Sequence, residues 1–523
     1  MAKRRGARAT VLSIGVKSAG TFSFIFIAKI FSLIVGLIML VVVARILGAT
    51  QYGVYTLSLA VAGIIGAFGQ FSIGPYFNNI IPKLRSENRS ERLGMLVGDM
   101  LVFIVPVCIF LMAIGLVIGP YISMYMFGST DYFLDMSLAI LGLIWVITYP
   151  IFYAILMGVG TGKQLGIATA FGITVQAIIS ITLVALGFQA TGALVGYLIG
   201  VFAPAALTLY YVHRYVKVRF ALKGIGSRIK GMLEFVIPIT LSGISSSLVN
   251  NFSVVILGLL LVSTSLIGQY GIASKAGQVI DIVLGTVSLV LIPMFSTAIY
   301  GGHKRSKIGS LYHASLHYGL MFTIPMIVYA SILSYQIIVT VFTSAYNAAA
   351  VYLPLVSVGT VIGMLGSNAA ALLISFRKVR MQLRIALLVG AIQTVSILVL
   401  TPLFHVIGMI VAYFFIGNLA YAIIYTKELD RIGIRINAVP VARVIVANLI
   451  LAAALAPLTL LTIRPLYVLI IGIAETLVIY PIILAKLKAV SKSDIVVLNH
   501  VSDEVPVFGS LFRSVVGYTE RFM

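Results

Sequence analysis

The chain is poor in charge. Asp, Glu, Lys and Arg make up 10% of its 523 residues, against roughly 25% in soluble globular proteins. With 61% hydrophobic residues and a mean hydropathy of +1.13, little is left to build a water-soluble domain. Acids are scarcest: 14 stand against 36 basic residues, for a net charge of +22. Cys108 is the single cysteine, so no disulfide can form within the chain. No nucleophile stands beside a base in a catalytic pattern. Gly160-Thr-Gly162-Lys163-Gln164 brushes against a phosphate-binding loop, but such a loop needs Gly at 157 and Ser or Thr at 164. The chain has Met157 and Gln164 there, which argues against ATP drive. His313 and His317 are four residues apart with no Glu between them and no third ligand, so neither metal nor cofactor is expected.

What the chain has instead is apolar runs. A membrane-crossing helix needs about 20 apolar residues. Fourteen runs qualify, near 22–44, 54–78, 95–118, 134–157, 165–187, 191–212, 233–262, 270–299, 311–333, 348–374, 385–402, 406–425, 441–462 and 466–485. The first is too long for the core of a secretion signal, and no small-residue cleavage site follows it. The reading is an all-α polytopic membrane protein.

In a soluble protein the positive balance would suggest nucleic acid; here topology accounts for it, and no nucleic-acid partner is expected. All but four of the 36 basic residues fall in the termini and in alternate loops. The exceptions are Arg45 and Arg464 at the opposite side and Lys29 and Lys275 within spans. By the positive-inside rule both termini are cytoplasmic, in a multi-pass protein of the cell membrane. The same cations face anionic lipid headgroups.

An internal repeat organises the spans. Gln51-Tyr52-Gly53 aligns with Gln269-Tyr270-Gly271. Pro75 then falls on Pro293, Phe77 on Phe295, and Phe127-Gly-Ser129 on Phe342-Thr-Ser344. Tyr132 falls on Tyr346, Gln176 on Gln393, Gly192 on Gly408 and Gly200 on Gly417. Six spans per copy, an even number, give the copies the same orientation. The expected parts are a basic segment 1–21, a first lobe 22–212, a cytoplasmic linker 213–232 and a second lobe 233–425. Two further spans over 441–485 and a cytoplasmic tail 486–523 complete the chain. Parallel lobes of this kind place a substrate between them. Pro75 and Pro293 are expected to kink spans 2 and 8, because each removes a backbone donor.

Ionisable residues inside spans are costly and need a wet cavity or a partner. Five qualify: Lys29, Asp99, Lys275, Asp281 and Glu475, with snorkelling of the long stems to the headgroups as the alternative for the two lysines. Helical phase puts Lys29, Ser32 and Gly36 on one face of span 1. Ser242, Ser246, Asn250 and Ser253 share a face of span 7. Ser274, Gln278, Asp281, Gly285 and Ser288 share one of span 8, with Lys275 at its edge. Polar stripes on these three spans fit a hydrated cavity, with interhelical hydrogen bonding as the alternative. A cavity holding Lys29 and Lys275, with Arg45 toward its far side, would attract an anion, and ammonium groups suit phosphate. Asp281, Asp99 and Glu475 are candidates for ion coupling, or else for structural pairing.

Ala44-Arg45-Ile-Leu-Gly48 with Tyr52-Gly53-Val-Tyr55, then Ser72-Ile-Gly74-Pro75, resembles the opening of the polysaccharide and O-antigen flippases. These belong to the multidrug/oligosaccharidyl-lipid/polysaccharide exporter superfamily. The stretch from Val341 (VFTSAYNAAAVYLPLVSVG) resembles the family's entry to span 10. The resemblance implies a V-shaped bundle of two six-helix lobes plus two C-terminal helices. It implies a flippase, not an enzyme, that moves a lipid-diphosphate-linked oligosaccharide from the cytoplasmic to the outer leaflet by alternating access. Glycosyltransferases or a polymerase would be its partners. Spans 13 and 14 would groove the isoprenoid tail. Ile30 stands after Lys29 where lipid II flippases lead one to expect an acid. Two other readings stay open: an organic-cation antiporter of the same superfamily, which would need acids in its cavity, and a non-transporting envelope scaffold.

Overall fold

The computed structural model describes residues 2–87, 89–221, 223–278, 295, 298–299, 305–376, 379–434, 438–490, 494–495 and 517–520. Among them it is helical, without strands. In order the helices are α1 (Ala2–Ala67), α2 (Ile73–Ser86), α3 (Ser90–Phe127), α4 (Phe133–Leu141), α5 (Leu143–Val159), α6 (Gly162–Ala185), α7 (Gln189–Val216) and α8 (Ile225–Leu259). Helical residues 264–278 form α9. Then come α10 (Arg305–Ile332), α11 (Ser334–Val341), α12 (Ala349–Ser375), α13 (Val379–Ile410), α14 (Asn418–Arg431), α15 (Ala438–Leu455) and α16 (Pro465–Lys486).

Among the described residues, eleven segments are long and apolar enough to cross a membrane. Two of them, Ile27–Ala67 and Met381–Arg431, run 41 and 51 residues. At 1.5 Å per residue each is long enough for two crossings of a core about 30 Å thick. Counting those two twice accounts for every expected span except span 8, whose residues 279–294 lie outside the described set. The protein is therefore an all-α, polytopic membrane protein. Large apolar side chains such as Phe110, Val117 and Leu449 stand on its surface, as lipid-facing helices require.

The chain divides into two compact units, Met1–Gly268 and Gln269–Met523. This cut lies one span later than the expected lobe boundary: α8 groups with the six spans before it. Polar and small residues fasten it there. Thr240 Oγ1 accepts from the Ser72 backbone N–H at 2.9 Å. A Cβ on Gly63 of α1 would sit 2.2 Å from Asn251 Oδ1, and one on Gly258 would sit 2.9 Å from Leu57.

The aligned residues of the repeat make matching contacts in each unit. In the first, a Cβ on Gly200 of α7 would lie 2.4 Å from Gln176 Cβ of α6. In the second, a Cβ on Gly417 would lie 2.3 Å from Gln393 Cγ of α13. Only glycine leaves room for the glutamine stem at either place. Phe127 packs on Tyr132 with ring centroids 4.9 Å apart, and Phe342 packs on Tyr346 at 6.2 Å. The units also differ. Val411–Gly417 is π-helical, and the carbonyl of Tyr413 within it accepts from Gln393 Nε2 at 3.2 Å.

α15 and α16, outside the repeat, pack on α10 and α11. Leu451, Leu455, Val468 and Leu469 bury against Met321 and Leu333. Tyr480 donates to the carbonyl of Met321 at 2.8 Å and Tyr329 to that of Leu469 at 3.0 Å. Tyr318 donates to Asp494 at 2.6 Å and so ties the start of the tail to α10.

Candidate functional site

Lys29 lies on α1, exposed, and neither hydrogen-bonds nor ion-pairs with any described residue. Its neighbour Ala28 is buried against Gly166 of α6, where a Cβ on the glycine would stand 3.4 Å from the alanine methyl. α1 is thus held tightly beside α6 while the lysine projects from it. Ser32, one turn on, is half-buried and spends its hydroxyl on the carbonyl of Ala28 at 2.7 Å. A serine bonded this way keeps oxygen lone pairs free to accept. Gly36 follows with only Ile173 within 4 Å of an added Cβ, at 3.8 Å.

Arg45 is exposed farther along α1, three residues before the break at Gly48. Gly48 has φ 67°, ψ 173°, a backbone conformation open to glycine. Between spans 1 and 2 the helix is interrupted at this one glycine alone. The helix after it makes a close contact with α9. A Cβ on Gly53 would stand 1.8 Å from the carbonyl oxygen of Thr264, and one on Gly268 would stand 2.0 Å from that of Ala49.

Of the span 7 stripe, Ser246 and Asn250 are exposed on α8 and Ser242 is half-buried; Ser253 turns inward and donates to the carbonyl of Asn250 at 2.6 Å. Ser246 donates to the carbonyl of Ser242 at 3.2 Å. In the second unit, Lys275 on α9 is exposed and donates from Nζ to Gln278 Oε1 at 3.2 Å. That bond fixes the ammonium but does not neutralise it. Asp281, Gly285, Ser288 and Pro293 lie outside the described residues. Glu475 is half-buried on α16 and forms no ion pair with a described residue.

Asp99 takes the structural pairing that was one of its two expected roles. It is 2% exposed on α3 and takes both Arg228 Nε at 2.5 Å and Nη2 at 2.8 Å. Arg228 also donates to the carbonyls of Ala221 and Lys223 at 2.5 and 2.8 Å. The hydrogen bonds to Asp99 raise the pKa of the Arg228 guanidinium above its already high ordinary value, so it stays charged. A carboxylate accepting two charged hydrogen bonds is occupied in structure and is not poised to exchange an ion. The same strap continues through Arg219. Its N–H donates to the carbonyl of Gly94 at 3.1 Å, its side chain pairs with Glu91 at 3.0 Å, and a Cβ on Gly98 would strike its carbonyl at 2.1 Å.

Sequence reasoning missed a broken helix. Span 2 was expected to kink at Pro75. The helix stops at Ala67, crosses an irregular stretch at 68–72 and restarts at Ile73. Pro75 is tolerated in the first turn of the new helix, where a missing N–H costs nothing. Gln70 and Phe68 are exposed in the break, beside the Ser72–Thr240 bond. Gly66 and Gly69, just before the break, are the local signal for it in the sequence. Irregular backbone at membrane depth is tolerated only against protein or water.

The sequence signature of the polysaccharide biosynthesis protein family matches residues 19–299. A comparison with curated proteins finds no match. Among solved structures, the lipid II flippase MurJ in an inward closed conformation superposes with a TM-score of 0.68 at 16% identity, covering 88% of this chain and 97% of that one. An inward-facing multidrug resistance MATE family transporter of the MOP superfamily gives 0.63 at 15%, covering 77% and 94%. A MOP superfamily transporter from Pyrococcus furiosus, described as having a binding pocket of reverse polarity, gives 0.51 at 14%, covering 79% and 95%. At these identities the likeness is one of fold. The family match spans more than half of the chain, and the chain belongs to the polysaccharide biosynthesis protein family.

Proposed function

We propose that this protein is a flippase that carries a lipid-diphosphate-linked oligosaccharide or polysaccharide precursor from the cytoplasmic to the outer leaflet of the cell membrane by alternating access. The carrying observation is Lys29, a cation within an apolar span that has no counter-charge among the described residues. A buried or membrane-level ammonium needs an anion or water, and a diphosphate supplies the first. Lys275, tethered to Gln278 but not neutralised, would serve the same headgroup from the second unit, and Arg45 would receive it toward the far side. Ser32, Ser246 and Asn250 would offer polar contacts along the way. The isoprenoid tail would stay in lipid, beside α15 and α16. Glycosyltransferases or a polymerase would act before and after the step.

The electrostatics favour export. With both termini cytoplasmic, each negative charge moved outward across an inside-negative membrane gains ~2.3 kcal/mol per 100 mV. A diphosphate carries about two such charges, so the potential can bias the cycle while the lysines stay with the protein. The organic-cation reading needs free acids in the cavity; of the two described candidates, Asp99 is taken by Arg228 and Glu475 stands on α16, outside the repeat.

Reconstitution in vesicles with a fluorescent lipid-linked oligosaccharide tests the proposal. Lys29→Ala is expected to lower flipping at least tenfold, with Lys29→Arg retaining part of it, while the purified variants remain monodisperse. Cation efflux without flipping would replace this reading with the antiporter, and neither activity would leave the scaffold.

A further inference from the structure

We propose that α5 carries a saccharide platform, in which Trp145, Tyr149 and Tyr153, with Thr169 of α6, stack against and hydrogen-bond a pyranose ring of the headgroup. The inference rests on the flippase reading and deepens it. Trp145 is the chain's single tryptophan. It sits near the midpoint of the 27-residue stretch Phe133–Val159. Tryptophan in membrane proteins gathers at headgroup level, where its N–H meets water. At mid-span that N–H needs a partner hydrocarbon cannot give. The indole packs edge-on to Phe202 at 4.9 Å, but its Nε1 donates to no described residue and is not sealed from the surface.

Tyr149 and Tyr153 follow one and two helical turns later, on the same face. All three rings are half-buried, and those of the tyrosines lie 6.1 Å apart. The Tyr149 hydroxyl is 3.1 Å from Thr169 Oγ1. Thr169 gives its own proton to the carbonyl of Leu165 at 2.9 Å, so Tyr149 must be the donor between them. The Tyr149 oxygen then keeps its lone pairs for an incoming hydroxyl. Tyr153 hydrogen-bonds no described residue. Side chains that merely glued helices together would have the indole N–H of Trp145 and the hydroxyl of Tyr153 paired or sealed.

A pyranose ring has the complementary chemistry. Its axial C–H bonds form an apolar face for an aromatic ring, and its equatorial hydroxyls form a polar rim. Depth also fits. α6 touches α1 at Gly166, against Phe24 and Ala28, and at Ile173, against Gly36. Thr169 lies between those two contacts, which puts Tyr149 level with Lys29 and Ser32. In a sugar diphosphate the charged group is bonded directly to the ring, so cation and platform belong at one depth.

The single tryptophan makes the site its own reporter. The full chain in detergent is titrated with farnesyl diphosphate and with farnesyl diphosphate bearing one glucose, galactose or N-acetylglucosamine. Trp145 emission and calorimetry are read together. At least one sugar-bearing probe is expected to bind about three- to tenfold tighter than the sugarless one and to shift the emission. Tyr149→Ala and Tyr153→Ala should abolish that advantage and leave farnesyl diphosphate binding unchanged. Tyr149→Phe and Tyr153→Phe, which remove only hydroxyls, should reduce it and serve if the alanine variants fail to fold. Lys29→Ala should weaken all four probes. Equal binding of all four, or a sugar advantage that survives the tyrosine variants, overturns the platform alone. Failure of every probe to bind overturns the flippase reading with it.

Discussion

The contact between α1 at Gly53 and the start of α9 at Thr264 sets a sharp test, because it is made by backbone. A methyl group on Gly53 would stand 1.8 Å from the Thr264 carbonyl oxygen and 2.6 Å from its carbon. An unstrained contact needs about 3.4 Å, so Gly53→Ala requires the two helices to part by more than an ångström. A flexible side chain could swing aside, but a carbonyl held between α8 and α9 cannot. Overpacking of this kind costs about 1–3 kcal/mol. If the contact belongs to one conformation of the transport cycle, that cost depopulates it roughly 5- to 150-fold relative to conformations in which the helices are apart. Gly268→Ala, whose methyl would meet the Ala49 carbonyl oxygen at 2.0 Å, should do the same. Gly36→Ala, with its nearest neighbour at 3.8 Å, is the matched control and should be silent. Flipping in vesicles is the assay, with thermal unfolding of the purified variants beside it. The expected pattern is a loss of at least fivefold in flipping for Gly53→Ala and Gly268→Ala and none for Gly36→Ala. Wild-type flipping and unchanged unfolding in Gly53→Ala would refute the reasoning, since the helices could not then approach as described.

Further outcomes follow from the same geometry. Asp99→Asn should lower thermal stability without altering any ion dependence of transport, and Asp99→Asn with Arg228→Gln should be less damaged than either alone, since neither charge is then left without its partner. Gly200→Leu and Gly417→Leu should disrupt their two units alike, read as loss of monodisperse protein, because each displaces the stem of a glutamine. In a Cys108→Ser background, Ser72→Cys with Thr240→Cys should form a disulfide on oxidation and stop flipping, with reductant restoring it. Full-rate flipping by the oxidised protein would show that α8 need not leave α2.

Much of the fold was legible because a bilayer imposes length. Twenty apolar residues mark a crossing whatever surrounds them, and glycines such as Gly200 and Gly417 recur because a glutamine must pass them. The grouping of spans was less legible. In water a helix shows its neighbours an apolar face and shows solvent a polar one; in lipid both faces are apolar, and nothing in α8 told which side it would join. Asp99 illustrates the limit at the site. Its partner lies 129 residues away, in a stretch where Arg228 reads as one more cytoplasmic cation. The break at 68–72 was hidden by Pro75, a stronger local signal that lies just inside the new helix.

What the sequence did carry is the character of α8, and it bears on how a cycle can run. Along the interface between α6 and α7 the contacts are close: Gly172 on Pro204, Gly196 on Ser180, Gly200 on Gln176. Parting those helices would expose backbone to whatever entered. α8 meets α1 and α2 differently, through Thr240 and Asn251, and its open face carries Ser246 and Asn250. Asn251 keeps a hydrogen bond of its own to the carbonyl of Ser247 at 2.8 Å. A helix with polar groups on both its packed and its open faces can lose its neighbours and still be solvated, so the cost of separation falls from that of a stripped apolar face to that of a few exchanged hydrogen bonds. Under the proposed alternating access, the chemistry of α8 tolerates an exchange of neighbours, and its polar stripe serves a moving helix as well as a cavity.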